Sequence, residues 1–337
     1  MTDERERDEP YLWDRSGPPD PDVVRLEKLL APLKHDATLA PVSLETRRRN
    51  RNIAIAGAAL LAIAAVVAWV FLTKPPPQED QPVAKTSCGT PAKGSHAFRA
   101  VGGSVKCGAE ERASGFLPTG SVFETPKGTT ATLEIGKLGT VSIEPESKLM
   151  LLSADEKMQS LDLVRGTVRA KIDAPPRLFI VKTKKADAVD LGCEYELTVD
   201  DEGHGMLSVS YGSVALEREN RAPTLVVENT YCKIGPNGPG TPLSKNASQE
   251  LRNAADELDA GDATAFDRVL AAAGPNDTAT LWHVMRRMDA DERGRAWDAL
   301  AKIVPPPKDA PREAVVRGER PAIASYKEAL TPSWFQR

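Results

Sequence analysis

The chain is 337 residues long, room for about two domains at ~150 residues each. Hydrophobic residues make up 41% and charged residues 27%, values typical of a folded protein, and 24 glycines with 27 prolines are too few for a low-complexity chain. A formal charge of −4 excludes the broad basic footprint of a nucleic-acid binder, and four cysteines exclude a disulfide-dense scaffold.

Residues 1–52 read as a short arm. Its first 22 residues carry eight acids against three arginines, a composition expected to stay unfolded when unbound. Asp20-Pro21-Asp22 then opens a helix, with a capping acid and Pro at the first helical position. Val23, Leu26, Leu29, Leu30 and Leu33 follow at helical spacing as one apolar stripe. A lone helix of about 14 residues cannot bury such a stripe by itself. It needs the bilayer surface, a second copy or a protein partner. With the small apolar cluster around Trp13, the stripe makes Trp13, Leu26, Leu29 and Leu30 the candidate partner contacts.

Residues 53–72, IAIAGAALLAIAAVVAWVFL, contain no charge, Pro, Asn or Gln. At ~1.5 Å per residue such a helix spans about 30 Å, the hydrocarbon thickness of a bilayer. Trp69 sits near one end, where an indole favours the interface. A cleaved signal peptide is not expected, because 52 residues precede the apolar run. Arg47, Arg48, Arg49 and Arg51 flank it on one side, and a Pro-rich acidic stretch follows Lys74. The positive-inside rule puts the arm in the cytoplasm and residues 73–337 outside.

All four cysteines, Cys88, Cys107, Cys193 and Cys232, then lie on the exported side, where disulfides are the default. Of the three possible connectivities the favoured one pairs sequence neighbours, Cys88 with Cys107 and Cys193 with Cys232. No two Cys or His stand at ligand spacing, so no metal site is expected.

Residues 73–95 read as a Pro-rich linker. From 96 to 235 short β-branched runs alternate with Gly turns. LDLVRGTVRAKI (161–172) and LSVSYGSVALER (207–218) superimpose at Leu161/Leu207, Leu163/Val209, Gly166/Gly212, Val168/Val214 and Ala170/Leu216. The stretch 133–144 repeats the idea with one extra residue before Gly139. Each unit is a period-2 strand, a Gly turn or bend, and a second strand, so the units must stack to share a core. A linker spans 236–247, and the breaker-rich GPNGPGTP (235–242) at its start has a G-x-x-G-x-G spacing whose prolines remove the N–H groups a phosphate cradle needs. Residues 248–337 are helical, with helices expected over 248–258, 262–273, 278–288 and 291–303, caps at Asp277 and Asp289, and an end to the array at Pro305–Pro307. The Trp334-Phe335 pair is expected to pin the tail.

The stretch 176–217 resembles the FecR domain. The likeness rests on a V-x-T-x-x-A strand at Val181, Thr183 and Ala186, a second strand at Gly192, Tyr195, Leu197 and Val199, and a closing Val209, Gly212 and Val214 hairpin. The preceding hairpin with Gly166 and Val168 also fits, and the resemblance covers about a third of the chain. It implies a single-pass inner-membrane protein whose exported domain receives an envelope signal and whose cytoplasmic arm controls an extracytoplasmic-function sigma factor. The arm is shorter than the usual anti-sigma region, and the chain ends in helices rather than a small receptor-contacting domain.

The expected fold class is therefore mainly β plus α: one N-terminal transmembrane helix, an exported all-β sandwich or β-solenoid-like domain, and a C-terminal antiparallel helical region. No catalytic residues, cofactor-binding residues or nucleic-acid contacts are expected: G-x-S-x-G, H-E-x-x-H and Walker motifs are missing, and Asp200-Asp201-Glu202-Gly203 reads as a solvated turn. The partners expected are a sigma factor for residues 1–52 and an envelope protein or polymer for residues 96–337. The alternative is a membrane-anchored periplasmic binding or scaffold protein whose arm carries no signal.

Overall fold

A computed structural model describes residues 88–335. The arm, the apolar run at 53–72 and most of the 73–95 linker lie outside the described residues, and within them no helix is long and apolar enough to cross a membrane.

Sixteen strands make one hydrogen-bonded network. They are β1 (Ser95–Val101), β2 (Val105–Cys107), β3 (Glu110–Arg112), β4 (Ser114–Pro118), β5 (Val122–Glu124), β6 (Thr130–Glu134), β7 (Gly139–Ile143) and β8 (Lys148–Ala154). Three long strands follow, β9 (Gln159–Ile172), β11 (Asp187–Val199) and β12 (Gly205–Glu217), with the short β10 (Phe179–Lys182) between the first two. The network closes with β13 (Thr224–Val227), β14 (Thr230–Gly235), β15 (Gly238–Pro239) and β16 (Leu243–Ser244).

The long strands are bent, and the chain geometry requires it. β10 pairs parallel to the opening residues of β9, with Phe179 opposite Gln159. A straight β9 would carry its end ~43 Å away from that start, whereas the link from Ile172 to Phe179 reaches at most ~25 Å. The fold-back occurs at Gly166, which has φ +98°. Before it β9 pairs with β8, and after it with β7 and β11. Gly212 of β12 (φ +72°) plays the same part, β14 pairing on one side of it and β13 on the other.

Each bend also shifts the inward face by one residue, as an inserted bulge residue must. Leu161 and Leu163 are buried before Gly166, and Val168, Ala170 and Ile172 after it. Leu207 and Val209 are buried before Gly212, and Val214 and Leu216 after it. The two superimposable segments are therefore bent strands contributing equivalent positions to one core. The third segment differs: β6 and β7 form a true hairpin, Glu134 opposite Thr140, so the extra residue belongs to a turn.

The expected cysteine pairing holds in one half. Cys88 and Cys107 form a disulfide. Cys193 and Cys232 are free and buried, which corrects the second pair. Cys193 lies on β11 opposite Gly212, and Cys232 lies on β14 opposite Leu207. With β12 between them the backbones stand ~9–10 Å apart across two strand spacings, before the offset along β12 is added. A disulfide needs Cα atoms within about 7 Å.

The stretch expected as a free linker is hydrogen-bonded instead. Gly235 pairs Gly238 across a tight hairpin, and β16 pairs β14 through Tyr231 and Leu243. After it come α1 (Gln249–Ala260), α2 (Ala265–Ala272), α3 (Thr278–Arg287), α4 (Ala290–Ile303), α5 (Arg312–Val316) and α6 (Arg320–Trp334). Ser248 caps α1 by accepting from Leu251 N–H at 3.1 Å, and Asp289 caps α4 by accepting from Glu292 N–H at 3.1 Å. Asp277 makes no such cap; its carboxylate accepts from Gly274 N–H at 2.9 Å and closes the preceding turn. The prolines at 305–307 do not end the array, since α5 and α6 follow. Ala322, Tyr326, Leu330 and Trp334 recur every fourth residue and are all buried. Trp334, edge-on to Trp282 with ring centres 5.6 Å apart, secures the tail, while Phe335 is exposed.

These helices share a second apolar core that also takes in Val227 of β13 and Leu243 of β16. The helical region is thus fused to the outer side of the last strands. One tie is buried: His283 of α3 is within hydrogen-bond reach of the Leu225 carbonyl, Nε2 to O 3.0 Å. Burial, with Arg286 and Arg287 nearby, pulls the imidazole down to about 3, so it is neutral and Nε2–H donates.

Candidate functional site

The outer face of β7, β9, β11 and β12 is an extended polar surface. Alternate residues of these strands fill the core, so the intervening ones share the other face. Register sets them in rows. Arg99, Thr132, Ser142, Arg169, Glu196, Ser208 and Tyr231 stand opposite one another across β1, β6, β7, β9, β11, β12 and β14. A second row runs through Glu134, Thr140, Lys171 and Glu194 to Tyr211.

Charges along these rows pair across strands. Arg169 donates through Nη1 to Glu144 at 2.5 Å and through Nε to Glu196 at 2.6 Å. Glu196 foremost raises the guanidinium pKa, keeping Arg169 charged. Lys171 pairs with Glu194, which raises the pKa of its ammonium. Thr167 and Thr198 share a hydrogen bond of 2.8 Å between hydroxyls. Ser210 donates to the Glu194 carbonyl at 3.1 Å.

Two shallow grooves lie on this face. One of about 460 Å³ runs over Ser142, Arg169, Glu196 and Ser208, with Lys245 from the segment before α1 beside it. The other, of about 810 Å³, surrounds Lys137, Asp173 and Tyr211. Thr140, Lys171 and Glu194 line both, so the grooves form one continuous depression. Tyr211, next to the bend at Gly212, is 52% exposed.

A deeper hollow of about 540 Å³ lies where the β14–β15 hairpin meets α1 and α3. Its charged groups are committed to the fold. Lys233 pairs with Asp256, and Arg221 donates to the Asn237 carbonyl at 3.0 Å. Asp259 accepts from Arg287 and from both the backbone N–H and the hydroxyl of Thr241. A Cβ on Gly240 would lie 2.4 Å from the Asp259 carboxylate, so any larger residue would have to displace it. The G-x-x-G-x-G spacing therefore serves a hairpin and a helix joint.

Trp13, Leu26, Leu29 and Leu30 lie outside the described residues. His96 is buried on β1, His204 sits in the β11–β12 turn and His283 is buried on α3, so these imidazoles are in three places. Asp200 folds that turn over, accepting from Glu202 N–H at 3.0 Å and His204 N–H at 2.7 Å, as its composition suggested. Among the described residues no three His, Cys, Asp or Glu side chains are grouped to hold a metal ion. Sequence reasoning missed the polar face altogether, although its residues are the ones left over when the core positions are removed from each period-2 run.

The sequence profile of the family described as "FecR protein" matches residues 121–215, from just before β5 to near the end of β12. Residues 121–215 thus form a FecR domain. Two crystal structures of a "putative anti-sigma factor" from Parabacteroides distasonis ATCC 8503 are similar to parts of it. One is 17% identical over 40% of this chain, TM-score 0.31, and the other 16% over 47%, TM-score 0.26. The chain covers 63% of the length of each of those proteins. No curated protein matches.

The signature positions of the FecR domain prove to be its skeleton. Val181, Ala186, Tyr195, Leu197, Val199, Val209 and Val214 are all buried. Thr183 holds the β10–β11 turn, its hydroxyl donating to the Ala186 carbonyl at 2.7 Å and accepting from Ala186 N–H at 3.1 Å. Gly192 and Gly212 bend β11 and β12. The signature therefore specifies the scaffold, while the outward residues of the same strands are free to specify what it meets.

Proposed function

We propose that this protein is a single-pass membrane regulator in which the FecR domain, outside the membrane, receives a signal, and residues 1–52 act on an extracytoplasmic-function sigma factor. The observation that carries the reading is the order of parts: an apolar 20-residue run flanked by arginines precedes a FecR domain at 121–215. On this reading the N-terminus is cytoplasmic and residues 73–337 are extracytoplasmic. The Cys88–Cys107 disulfide suits an oxidising compartment. The amphipathic stripe of the arm, with Leu26, Leu29 and Leu30 beside Trp13, would be the surface that holds the sigma factor. The test is co-purification of the full chain with the cell's sigma factors, alongside Leu26→Asp and Leu30→Asp variants. Capture by the wild-type chain and loss in both variants supports the reading; no capture by the wild type ends the anti-sigma version.

A second reading is favoured by the helical region, whose core is continuous with β13 and β16. An extracytoplasmic β domain sharing a core with a helical region suits an anchored scaffold or binding protein. On that reading, deletion of residues 1–45 leaves the phenotype intact.

A further inference from the structure

We propose that the outer face of the FecR domain is a binding groove for an uncharged oligosaccharide, with Tyr211 as its stacking platform. The proposal rests on the reading above only in taking the β domain as the receptive part of the molecule.

Three observations point to this ligand. The first is layout. The row from Thr132 to Ser208 crosses β6, β7, β9, β11 and β12, presenting a hydroxyl, guanidinium or carboxylate at each ~4.8 Å strand spacing. That step is close to the length of one sugar ring, so successive rings of an extended glycan would meet a donor or acceptor on every strand. The ion pairs along the row are exposed, so each contributes little by itself. Their oxygens and N–H groups remain open to sharing with ligand hydroxyls.

The second is charge. Lys137, Arg169, Lys171 and Lys245 in and beside the depression are matched by Glu144, Asp173, Glu194 and Glu196. A polyanion or a cationic peptide would meet as many like charges as opposite ones. A neutral polyhydroxylated chain meets none to repel it, and can use both signs as hydrogen-bonding groups.

The third is Tyr211. On β11 the ring of Tyr195 turns into the core, where it is 3% exposed. Tyr211 is instead 52% exposed, because the bend at Gly212 shifts the face, and it stands opposite Glu194 at the end of the second row. An exposed ring beside polar groups offers an apolar surface to the C–H face of a sugar while its edge stays wet. Among the described residues the other exposed large hydrophobics, Val101, Met158, Met206 and Phe335, do not line the depression, which disfavours a helical or lipid partner.

The test is calorimetric titration of the full chain, purified in a zwitterionic detergent without a sugar headgroup, against chitohexaose, cellohexaose and maltohexaose, with polygalacturonate as the anionic control. Binding of at least one neutral hexasaccharide is expected, weakened tenfold or more by Tyr211→Ala and preserved by Tyr211→Phe. Both variants should unfold at the wild-type temperature, since the ring is not part of the core. Failure of all three neutral sugars to bind, undiminished binding by the Ala variant, or preference for polygalacturonate would each overturn the proposal. Sigma-factor capture is read separately, so loss of the groove and loss of the regulatory reading give different results.

Discussion

The Asp259 carboxylate, at the end of α1, accepts from the Arg287 guanidinium of α3 at 3.1 Å and from the Thr241 backbone N–H at 2.6 Å. One side chain thus ties two helices to the segment that leaves the sheet. Replacing it with Ala leaves a backbone N–H and a guanidinium short of an acceptor, which costs about 2 kcal/mol. Asp259→Asn keeps one acceptor oxygen and should lose about half of that. Urea unfolding of both variants measures it. An Asp259→Ala midpoint equal to wild type would remove this joint from the account.

His283 gives the helical region a pH dependence. Its folded value lies at about 3 against an ordinary 6.5. Between those values the unfolded chain holds a proton that the folded chain lacks. Its contribution is therefore full above pH 6.5 and falls as the pH drops, by about 1.4 kcal/mol per unit at most. Burial foremost, and then the charges of Arg286, Arg287 and Lys327, disfavour its protonation. In His283→Gln this part of the acid slope should vanish, measured by urea unfolding at pH 7 and pH 5.

Asp190 acts in the opposite sense. Burial raises its pKa, against hydrogen bonds from the Cys193 thiol at 2.7 Å and Gly192 N–H at 2.7 Å. A raised folded value means stability present at low pH and lost as the pH rises through it. Asp190→Asn should then be the more stable protein at pH 7. The advantage should shrink once the wild-type carboxyl is protonated. A variant less stable at pH 7 would show that the charged form is the one the fold wants.

The cysteines yield a count. Burial pushes both free thiols up, Cys232 to about 12. Neither should react with a thiol reagent in the folded chain at pH 8. In urea without reductant two thiols per chain should titrate. None would mean that Cys193 and Cys232 are bridged after all, and four would mean that the Cys88–Cys107 bond is missing.

The core was legible because burial on a strand has period two. Leu161 and Leu163 align with Leu207 and Val209, and their glycines mark the same event. What periodicity could not tell was whether Gly166 and Gly212 ended a strand or bent it. Space decides that: a Cβ on Gly212 would lie 2.1 Å from the Gly192 carbonyl oxygen. Helices α1 to α4 were visible from their apolar spacing, whereas α5 and α6 were hidden behind three prolines and bury few residues each, Ala314 and Val315 in α5 and Ala322, Tyr326, Leu330 and Trp334 in α6. The Cys193–Cys232 expectation failed because sequence proximity says nothing about the strand that lies between them. The polar groove was unreadable as a site because its residues come from four strands and meet only through register.

The bends make a contrast in glycine substitutions. Gly212→Ala meets both positive φ and the carbonyl contact, and should lower stability by more than the ~1–2 kcal/mol that left-handed backbone alone imposes. Gly136→Ala, at φ +53° with nothing within 4 Å, should stay within that range. Equal losses in urea unfolding would deny that β12 bends against β11 as described.

The proposal that residues 1–52 and the FecR domain form one signalling device across a membrane is tested most directly by a transcript profile of a strain lacking the gene, complemented by the full chain or by a chain lacking residues 1–45. A small, coherent set of altered transcripts is expected, which the full chain restores and the shortened chain does not. Full restoration by the shortened chain, or no coherent set at all, would contradict it.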